Sequence, residues 1–421
     1  MATSNSNFPS RGNAIFRTLS EAAGVLRAPQ RLFPLIYRLA SDELHRCFEF
    51  RDLYSYTKTV RESDTVLNAL MAWILSAQRP DGGIAAYYSL LTGWSASYPE
   101  VTGYLVPTLY DFSGRTCDPR AASTAGRATD WLLSLQMPDG SFPGGLHGTE
   151  SRPSVFNTGQ ILQGLVRAAA ETEHAKVQQA AIAAGEWLVS VQSEDGSWSG
   201  EAAYQNAAHS YYSMVAWSLS ELAAQSGDRR FALAAEKNLD WVLSYFRASG
   251  WVEGISLRGH PNYLHFIAYV LQGALETAIR LKRNDAIEKV DRSAWALLRK
   301  FETNKNLCGA YETNFKNGHQ FTCLTGNAQM SCVWLRLFEA AGDLRYLNAA
   351  LKMNELLKQL VPASGRGVAG GVAGSYPIWG RYQPLRYISW GCKFFADALM
   401  LEDRMKRSLD RTASEELACA S

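Results

Sequence analysis

Trp131-Leu-Leu-Ser-Leu-Gln-Met-Pro-Asp-Gly-Ser-Phe142 is the stretch that decides the fold, because similar stretches recur along the 421-residue chain. The shared pattern is a tryptophan, two apolar residues, a serine and a glutamine, followed by Asp-Gly, and it decays in the later copies. The five copies begin at Trp73, Trp131, Trp187, Trp241 and Trp295. Their spacings are 58, 56, 54 and 54 residues, and a sixth unit without its tryptophan lies around residues 351–360. Self-similarity at a fixed period indicates a repeat architecture.

Each unit contains a second apolar helix about 30 residues after the first. These second helices are predicted to begin near Val101, Thr158, His209, His265, Asn327 and Trp390. Helical periodicity with Gly-Asp breaks, and almost no alternating strand pattern, predicts an all-α protein. An open solenoid needs polar caps, whereas the last unit is as apolar and aromatic as the middle ones. We therefore predict a closed (α/α)6 toroid of six helical hairpins, each with an outer and then an inner helix.

The predicted toroid covers residues 61–403, with an N-terminal helical extension over 1–60 and a polar C-terminal tail over 404–421. Hydrophobic residues make up 47% of the chain and charged residues 19%, which excludes global disorder. With 42 Lys and Arg against 40 Asp and Glu, no charge excess points to nucleic acid. The sequence shows no apolar run long enough to span a membrane and no signal-peptide pattern. Seven cysteines without C-x-x-C spacing favour free thiols, so a cytoplasmic protein is expected.

Polar and aromatic residues gather at the N-terminal ends of the predicted inner helices. In a ring of parallel inner helices these ends share one mouth, where unpaired amides and positive dipole ends suit an anionic or hydroxyl-rich ligand. Tyrosine and tryptophan there suit sugar rings or isoprenoid chains. The candidate substrate-binding residues at this mouth are Tyr98, Tyr104, Asn157, Gln160, Tyr211, Asn327, Gln329, Trp379, Arg381 and Trp390.

Glu100 is the leading candidate for a catalytic acid or base, because it follows Tyr-Pro where the chain enters this mouth. His265, Tyr212 and His209 are the candidate proton-transfer partners. The alternatives are structural ones. Glu100 could only stabilise the first turn of a helix, Asn157 could only cap one, and the two histidines could be satisfied core residues.

No metal or cofactor is predicted. His319 and Cys323, with Cys308 upstream, have looser spacing than a structural zinc site requires. The glycine-rich run at 365–374 lacks the Gly-Lys-Ser/Thr ending of a phosphate loop. We predict instead that this run and the residues after it form a long loop over the mouth, with a purely structural loop as the alternative.

Two of the repeated segments resemble the QW motifs of squalene-hopene cyclases and related α/α toroids. They are Gln136–Phe142 and Gln192–Trp198. The resemblance implies the same toroid over most of residues 60–400. It does not extend to the chemistry, because the Asp-x-Asp-Asp motif of class II cyclases and a magnesium-binding Asp-Asp-x-x-Asp cluster do not occur in this sequence.

Five further segments resemble a less-studied family with squalene-cyclase-like repeats, found in bacterial exopolysaccharide and capsule biosynthesis loci. The segments are Tyr98–Tyr104, Val155–Gln160, Cys323–Gln329, Gly374–Trp379 and Lys393–Leu399. This resemblance implies a context of polysaccharide synthesis, with partner proteins of that process, and adds Lys393 to the candidate substrate-binding residues. The sequence departs from the family at His260–His265, although His265 itself matches.

These observations predict a carbohydrate-active enzyme that performs acid/base chemistry on a glycan, as a hydrolase, lyase or uronate epimerase. The expected partner is a glycan or glycan precursor, which is acidic if the substrate is a uronate. One alternative is a terpenoid or prenyl cyclase-like enzyme, and another is a non-catalytic glycan-binding or scaffold toroid. The shape and polarity of the space between the inner N-termini distinguish these three.

Overall fold

The computed structural model describes residues 61–149, 152–255, 257, 260–319 and 321–420, so the predicted extension over 1–60 lies outside the described residues. Within these ranges twelve α-helices alternate between an outer and an inner position. The outer helices are α1 (Ser63–Ser76), α3 (Pro119–Leu135), α5 (Ala175–Ser190), α7 (Arg229–Leu243), α9 (Asn284–Asn304) and α11 (Leu344–Leu360). The inner helices are α2 (Pro99–Thr116), α4 (Val155–Thr172), α6 (Ser213–Ser226), α8 (Leu264–Leu281), α10 (Leu324–Ala341) and α12 (Ser389–Ala420).

The inner helices form a closed ring. Each inner helix packs against the next one along the chain, and α12 packs against both α1 and α2. The first turns of neighbouring helices meet, as where Gly326 of α10 lies against His265 of α8, so the inner helices are parallel. Arg61 reinforces the closure by donating to the main-chain oxygens of Lys358 and Val361 at 2.7 and 2.6 Å. The predicted all-α toroid is confirmed.

The repeated glutamine explains why the motif recurs. Gln136 Nε2 donates to Gly140 O at 3.0 Å, within its own turn, and to Ala180 O at 2.8 Å, on the next outer helix. The corresponding bonds of Gln192 reach Gly196 O at 3.1 Å and Ala234 O at 2.9 Å. One side chain therefore shapes the turn and fastens it to the neighbouring repeat.

The glycine of each Asp-Gly pair is required for the same close approach. Gly140 has a φ of +90°, and a Cβ there would lie 2.4 Å from Ala183 O of the next outer helix. Asp139 Oδ1 accepts from Ser141 N at 3.0 Å, which closes the turn. Glycine is the residue that adopts this backbone conformation without steric cost.

Short strands lie in the long connections that precede the inner helices. They are β1 (Tyr87–Ser89), β2 (Gly93–Trp94), β3 (Asn262–Tyr263), β4 (Ala310–Glu312), β5 (Lys316–His319), β6 (Thr322–Cys323), β7 (Ser375–Tyr376) and β8 (Arg386–Ile388). All pairs are antiparallel, in the orders β2-β1-β8, β3-β4-β5 and β6-β7. The β1–β8 pair joins the first repeat to the last, and the β6–β7 pair fastens residues 361–388 across the inner N-termini.

Helix α12 continues through residues 404–420, where the sequence analysis predicts a loose polar tail. Ion pairs one turn apart support this extension, with Lys406 Nζ 2.5 Å from Glu402 and Arg407 Nε 2.9 Å from Asp403. Such pairs stabilise helices in polar sequence. Among the described helices, none has the length and apolar composition needed to cross a membrane.

Candidate functional site

The N-terminal ends of the inner helices meet around packed rings, here termed the aromatic cluster. Its members are Tyr104, Phe156, Tyr211, Tyr212, His265, Tyr269, Tyr382 and Phe394. The ring of Phe156 lies 5.0 Å from that of Tyr211 and 5.5 Å from that of Tyr269, centre to centre. No member is more than 9% exposed. These rings occupy the centre of the mouth that the sequence analysis assigns to a ligand.

Glu100 lies in the first turn of α2, beside the aromatic cluster, and is 9% exposed. Tyr98, the residue before the helix, donates a hydrogen bond from its hydroxyl to Glu100 Oε2 at 2.5 Å. Burial raises the pKa of Glu100 to about 7, although the bond from Tyr98 acts in the opposite direction. A carboxyl group with this pKa is present in both protonation states near neutral pH, as a general acid or base requires.

Tyrosine hydroxyls surround this carboxyl group. Burial is the main cause that raises the pKa of each of them, and the negative charge of Glu100 raises it further. The tyrosines are Tyr98, Tyr104, Tyr211, Tyr212, Tyr269 and Tyr382. These hydroxyls stay protonated near neutral pH, and the proton of the Tyr98 hydroxyl is donated to Glu100 itself.

His265 begins a chain of polar side chains through the centre of the ring. Its Nδ1 lies 2.6 Å from Gln329 Oε1, and Gln329 Nε2 donates to Gln272 Oε1 at 3.1 Å. With an amide oxygen as its partner, Nδ1 carries the proton and Nε2 is unprotonated. Burial lowers the pKa of His265 to about 3, so its imidazole is neutral and can only accept a proton at Nε2.

Buried amides near the cluster lack hydrogen-bond partners within the described structure. Both amide atoms of Gln160 and the Oδ1 atom of Asn327 are in this state. Asn327 Nδ2 is engaged, since it donates to Cys323 O at 2.8 Å. An unpaired buried amide is costly, so a hydrogen bond from a bound water or ligand would stabilise it.

Two further predicted site residues, Asn157 and His209, bond to the protein itself. Asn157 Nδ2 donates to Pro143 O at 3.1 Å, while Ser154, not Asn157, caps the helix. His209 Nε2 lies 2.8 Å from Tyr204 O, and its ring stacks on Tyr211 at 5.0 Å. These contacts place His209 at the edge of the aromatic cluster.

The residues after the glycine-rich run cover the cluster. Trp390 Nε1 donates to the Tyr382 hydroxyl at 2.9 Å, and the Tyr263 hydroxyl donates to Arg381 O at 3.3 Å. The side chain of Arg381 is exposed, and Trp379 is half-buried. The predicted loop therefore covers this mouth, with Tyr382 inside and Arg381 on the outer surface.

Lys393 lies beneath the aromatic cluster, with its Nζ 5.6 Å from the centre of the Tyr104 ring, and it faces the opposite end of the ring. There a cavity of about 880 Å³, here termed the charged cavity, opens between the C-terminal halves of the inner helices. Lys393 Nζ lies 2.7 Å from Asp397 Oδ2, and Thr108 Oγ1 donates to the same carboxylate at 2.7 Å. The aromatic residues fill one end of the ring, and the open volume lies at the other.

A ring of polar links joins each inner helix to the next around the charged cavity. Five links are ion pairs and one is a hydrogen bond from a glutamine amide to a main-chain oxygen. In ring order they are Asp111–Arg167, Val166–Gln225, Glu221–Arg280, Glu276–Arg336, Glu339–Arg404 and Asp403–Arg115. These links join neighbouring inner helices around the cavity.

Among the described side chains no group of three histidine, cysteine or acidic residues could hold a metal ion. Cys323 is buried, and burial raises the pKa of its thiol to about 12. The side chain of His319 lies outside the described part.

A family model described as the squalene-hopene cyclase C-terminal domain matches residues 53–275, more than half of the chain. The chain belongs to the squalene-hopene cyclase C-terminal domain family. No curated protein matches the sequence.

Solved structures similar to this family member are α/α toroids. A D-mannose isomerase shares 10% identity at a TM-score of 0.65, with 82% of this chain and 97% of that chain covered. The cellobiose 2-epimerase of Spirochaeta thermophila shares 12% identity at a TM-score of 0.65, covering 85% and 98%. The unsaturated glucuronyl hydrolase of Bacillus sp. GL1 shares 15% at a TM-score of 0.64, covering 80% and 96%. At these identities the likeness concerns the fold alone.

Sequence reasoning missed two kinds of residue in this member of the squalene-hopene cyclase C-terminal domain family. Tyr269, one turn after His265, was readable from helical periodicity, because residues four apart share a helix face. The ring of ion pairs also had a signal, since acidic and basic residues such as Asp111 and Arg115 recur in the last turns of the inner helices.

Proposed function

We propose that this protein is a carbohydrate-active enzyme that performs acid/base chemistry at Glu100. The observation that carries the proposal is the buried carboxyl group with a pKa of about 7, held by Tyr98 and surrounded by tyrosine hydroxyls. Such a group both accepts and donates a proton at neutral pH. The sequence likeness to proteins of exopolysaccharide and capsule loci supports a role in the synthesis or modification of such a glycan.

The arrangement favours proton transfer at a sugar carbon over hydrolysis by two carboxylates. Glycoside hydrolysis commonly uses a pair of acidic residues on either side of the scissile bond. Among the described groups, Glu100 is the one carboxylate whose charge acts on the tyrosines of the cluster. A single acid/base suits β-elimination or epimerisation next to a uronate carboxylate.

Substrate entry is part of the proposal, because the segment over the cluster closes it in this structure. Tyr382 is 6% exposed, and its main-chain N–H donates to Ser375 Oγ at 3.1 Å. A sugar reaches Glu100 only when Tyr382 and its neighbours move outward. The unpaired amide of Gln160 is then available to bind hydroxyl groups.

The test compares Glu100→Gln with the control Glu194→Gln, which alters an exposed glutamate in a turn. The substrates are D-mannose, cellobiose, an unsaturated glucuronyl disaccharide and a uronate-containing capsular polysaccharide, with products identified by chromatography. We expect wild type and Glu194→Gln to convert at least one substrate. Glu100→Gln should lose about 10²- to 10⁴-fold in rate, the usual contribution of a positioned acid/base. Full activity of Glu100→Gln would refute the role of Glu100.

A second candidate function is a terpenoid cyclase-like enzyme. The aromatic lining around one protonatable carboxyl group favours it, together with membership of the squalene-hopene cyclase C-terminal domain family. The absence of the Asp-x-Asp-Asp motif from the sequence counts against it. Incubation with squalene and with polyprenyl diphosphates separates the two functions, because only a cyclase forms cyclic hydrocarbon products. A non-catalytic toroid would convert neither class of substrate.

A further inference from the structure

The charged cavity has the size of a small-molecule site. Its volume of about 880 Å³ lies within the range of about 300–1,000 Å³ that is typical of ligand pockets. Lys393 lies on its floor, and the ammonium group is 4.2 Å from the centre of the Phe394 ring in the aromatic cluster. The cavity is lined neither by Glu100 nor by any member of the aromatic cluster, so it is a separate site.

Buried amides face this cavity. Gln163 lines it, is 7% exposed, and its Nε2 atom has no hydrogen-bond partner in the described structure. Gln272, which is 5% exposed, lines it as well and ends the polar chain from His265. An unpaired N–H₂ group deep in a cavity fits a ligand that presents hydroxyl or carbonyl oxygens, since the bond would offset the cost of its burial.

The charges on the cavity wall favour an anion. Eight of the lining side chains are basic and five are acidic. At the rim Arg404 is 53% exposed, and its carboxylate partner Glu339, 3.2 Å away, also pairs with Arg336. Arg336 also pairs with Glu276 through two of its donors, whereas Arg404 keeps donors that can bind a second anion. Arginine binds carboxylates and phosphates through two parallel hydrogen bonds.

We propose that the charged cavity is a second binding site, specific for a small sugar acid, whose carboxylate or phosphate group binds Arg404 and whose hydroxyl groups bind Gln163 and Gln272. The site goes beyond the proposed function, because none of these residues contacts Glu100. Its position at the opposite mouth lets it bind ligand whether or not the segment over the aromatic cluster is closed.

Isothermal titration calorimetry of the full-length protein tests the site with D-glucuronate, D-glucose 6-phosphate and neutral D-glucose. We expect at least one of the two anions to bind about tenfold or more tightly than glucose, the effect of one charge-assisted contact. Comparison of the two anions shows whether a carboxylate or a phosphate is preferred. If neither anion binds more tightly than glucose, the proposal is wrong.

Variants separate binding in the cavity from non-specific attraction. Arg404→Gln should weaken anion binding about tenfold, whereas Arg120→Gln, which removes an exposed outer arginine, should not. Ala224→Trp places a large ring at an exposed position on the cavity wall and should abolish binding while the protein stays folded. Glu100→Gln should bind as wild type does, so this test is independent of the proposed activity. Unchanged binding in Ala224→Trp would place the anion elsewhere and overturn the inference.

A further variant tests the amide. Gln163→Leu removes an unpaired buried N–H₂ group, so we expect it to unfold no more readily than wild type and yet to bind the preferred anion at least fivefold more weakly. Loss of stability together with unchanged binding would show that Gln163 has only a structural role.

Discussion

Replacement of Glu100 by glutamine should change how the stability of the protein depends on pH. Glutamine has the shape of a protonated glutamate, and its Oε1 can accept the hydrogen bond that Tyr98 donates at 2.5 Å. It cannot ionise. The variant therefore retains the packing of the site and removes only the cost of burying a negative charge.

The sign follows from the two pKa values of the carboxyl group. In the folded protein the pKa of Glu100 is about 7, raised from 4.5 by burial. Between these values the folded state holds more protons than the unfolded state, so the stability of wild type falls as pH rises from 4.5 through 7. A difference of this size corresponds to about 3 kcal/mol. Above pH 8 we therefore expect Glu100→Gln to be more stable than wild type by about 3 kcal/mol relative to the same comparison at pH 4.

His265 makes the variant comparison necessary. Burial lowers its pKa to about 3 in the folded protein from 6.5, so its contribution to stability rises with pH between those values. In wild type the two slopes oppose each other between pH 4.5 and 6.5. The His265 contribution is common to wild type and variant, so it cancels from their difference.

The assay is urea unfolding followed by tryptophan fluorescence at pH 4, 6 and 8.5, with Glu194→Gln as the exposed control. A difference between Glu100→Gln and wild type that stays constant from pH 4 to 8.5 would show that Glu100 is ionised and solvated in the folded state. The reasoning that makes it an acid/base at neutral pH would then fail.

Three other substitutions, with Gly114→Ala as a control, test the site and the ring. Tyr98→Phe removes the hydrogen bond that lowers the pKa of Glu100, so this pKa should rise by about one unit in a carbon-13 NMR titration of the carboxyl group. Gly103→Ala would place a Cβ 2.5 Å from the Cα atom of Ile161, and should lower the free energy of unfolding by about 1–3 kcal/mol. Gly114→Ala is the control on the same helix, where a Cβ would lie in open space. It should not lower the free energy of unfolding. Gln136→Leu leaves two main-chain oxygens without their donor and should cost about 2 kcal/mol or more in the same denaturation measurement.

Repeat sequence by itself was sufficient to predict the toroid. Each copy of the Gln…Asp-Gly motif forms its turn through local contacts. The same glutamine also bonds to the next outer helix, so the motif of one repeat positions the repeat that follows it. The N-terminal ends of the inner helices were placed within a few residues for the same reason, as with α4 at Val155 against the prediction near Thr158. Signals of this kind can be recognised in a short segment without knowledge of the rest of the chain.

The sequence by itself was enough to predict the closed ring, the mouth shared by the N-terminal ends of the inner helices, and Glu100 as the candidate catalytic acid or base. Only the tertiary structure decided which mouth is filled and which is open. Phe156, Tyr269 and Phe394 come from three helices far apart in the chain, and whether they pack together or leave a gap depends on their combined volume. The pKa of Glu100 depends on that packing too, because desolvation is a property of everything that surrounds a group. No spacing within one repeat contains this information.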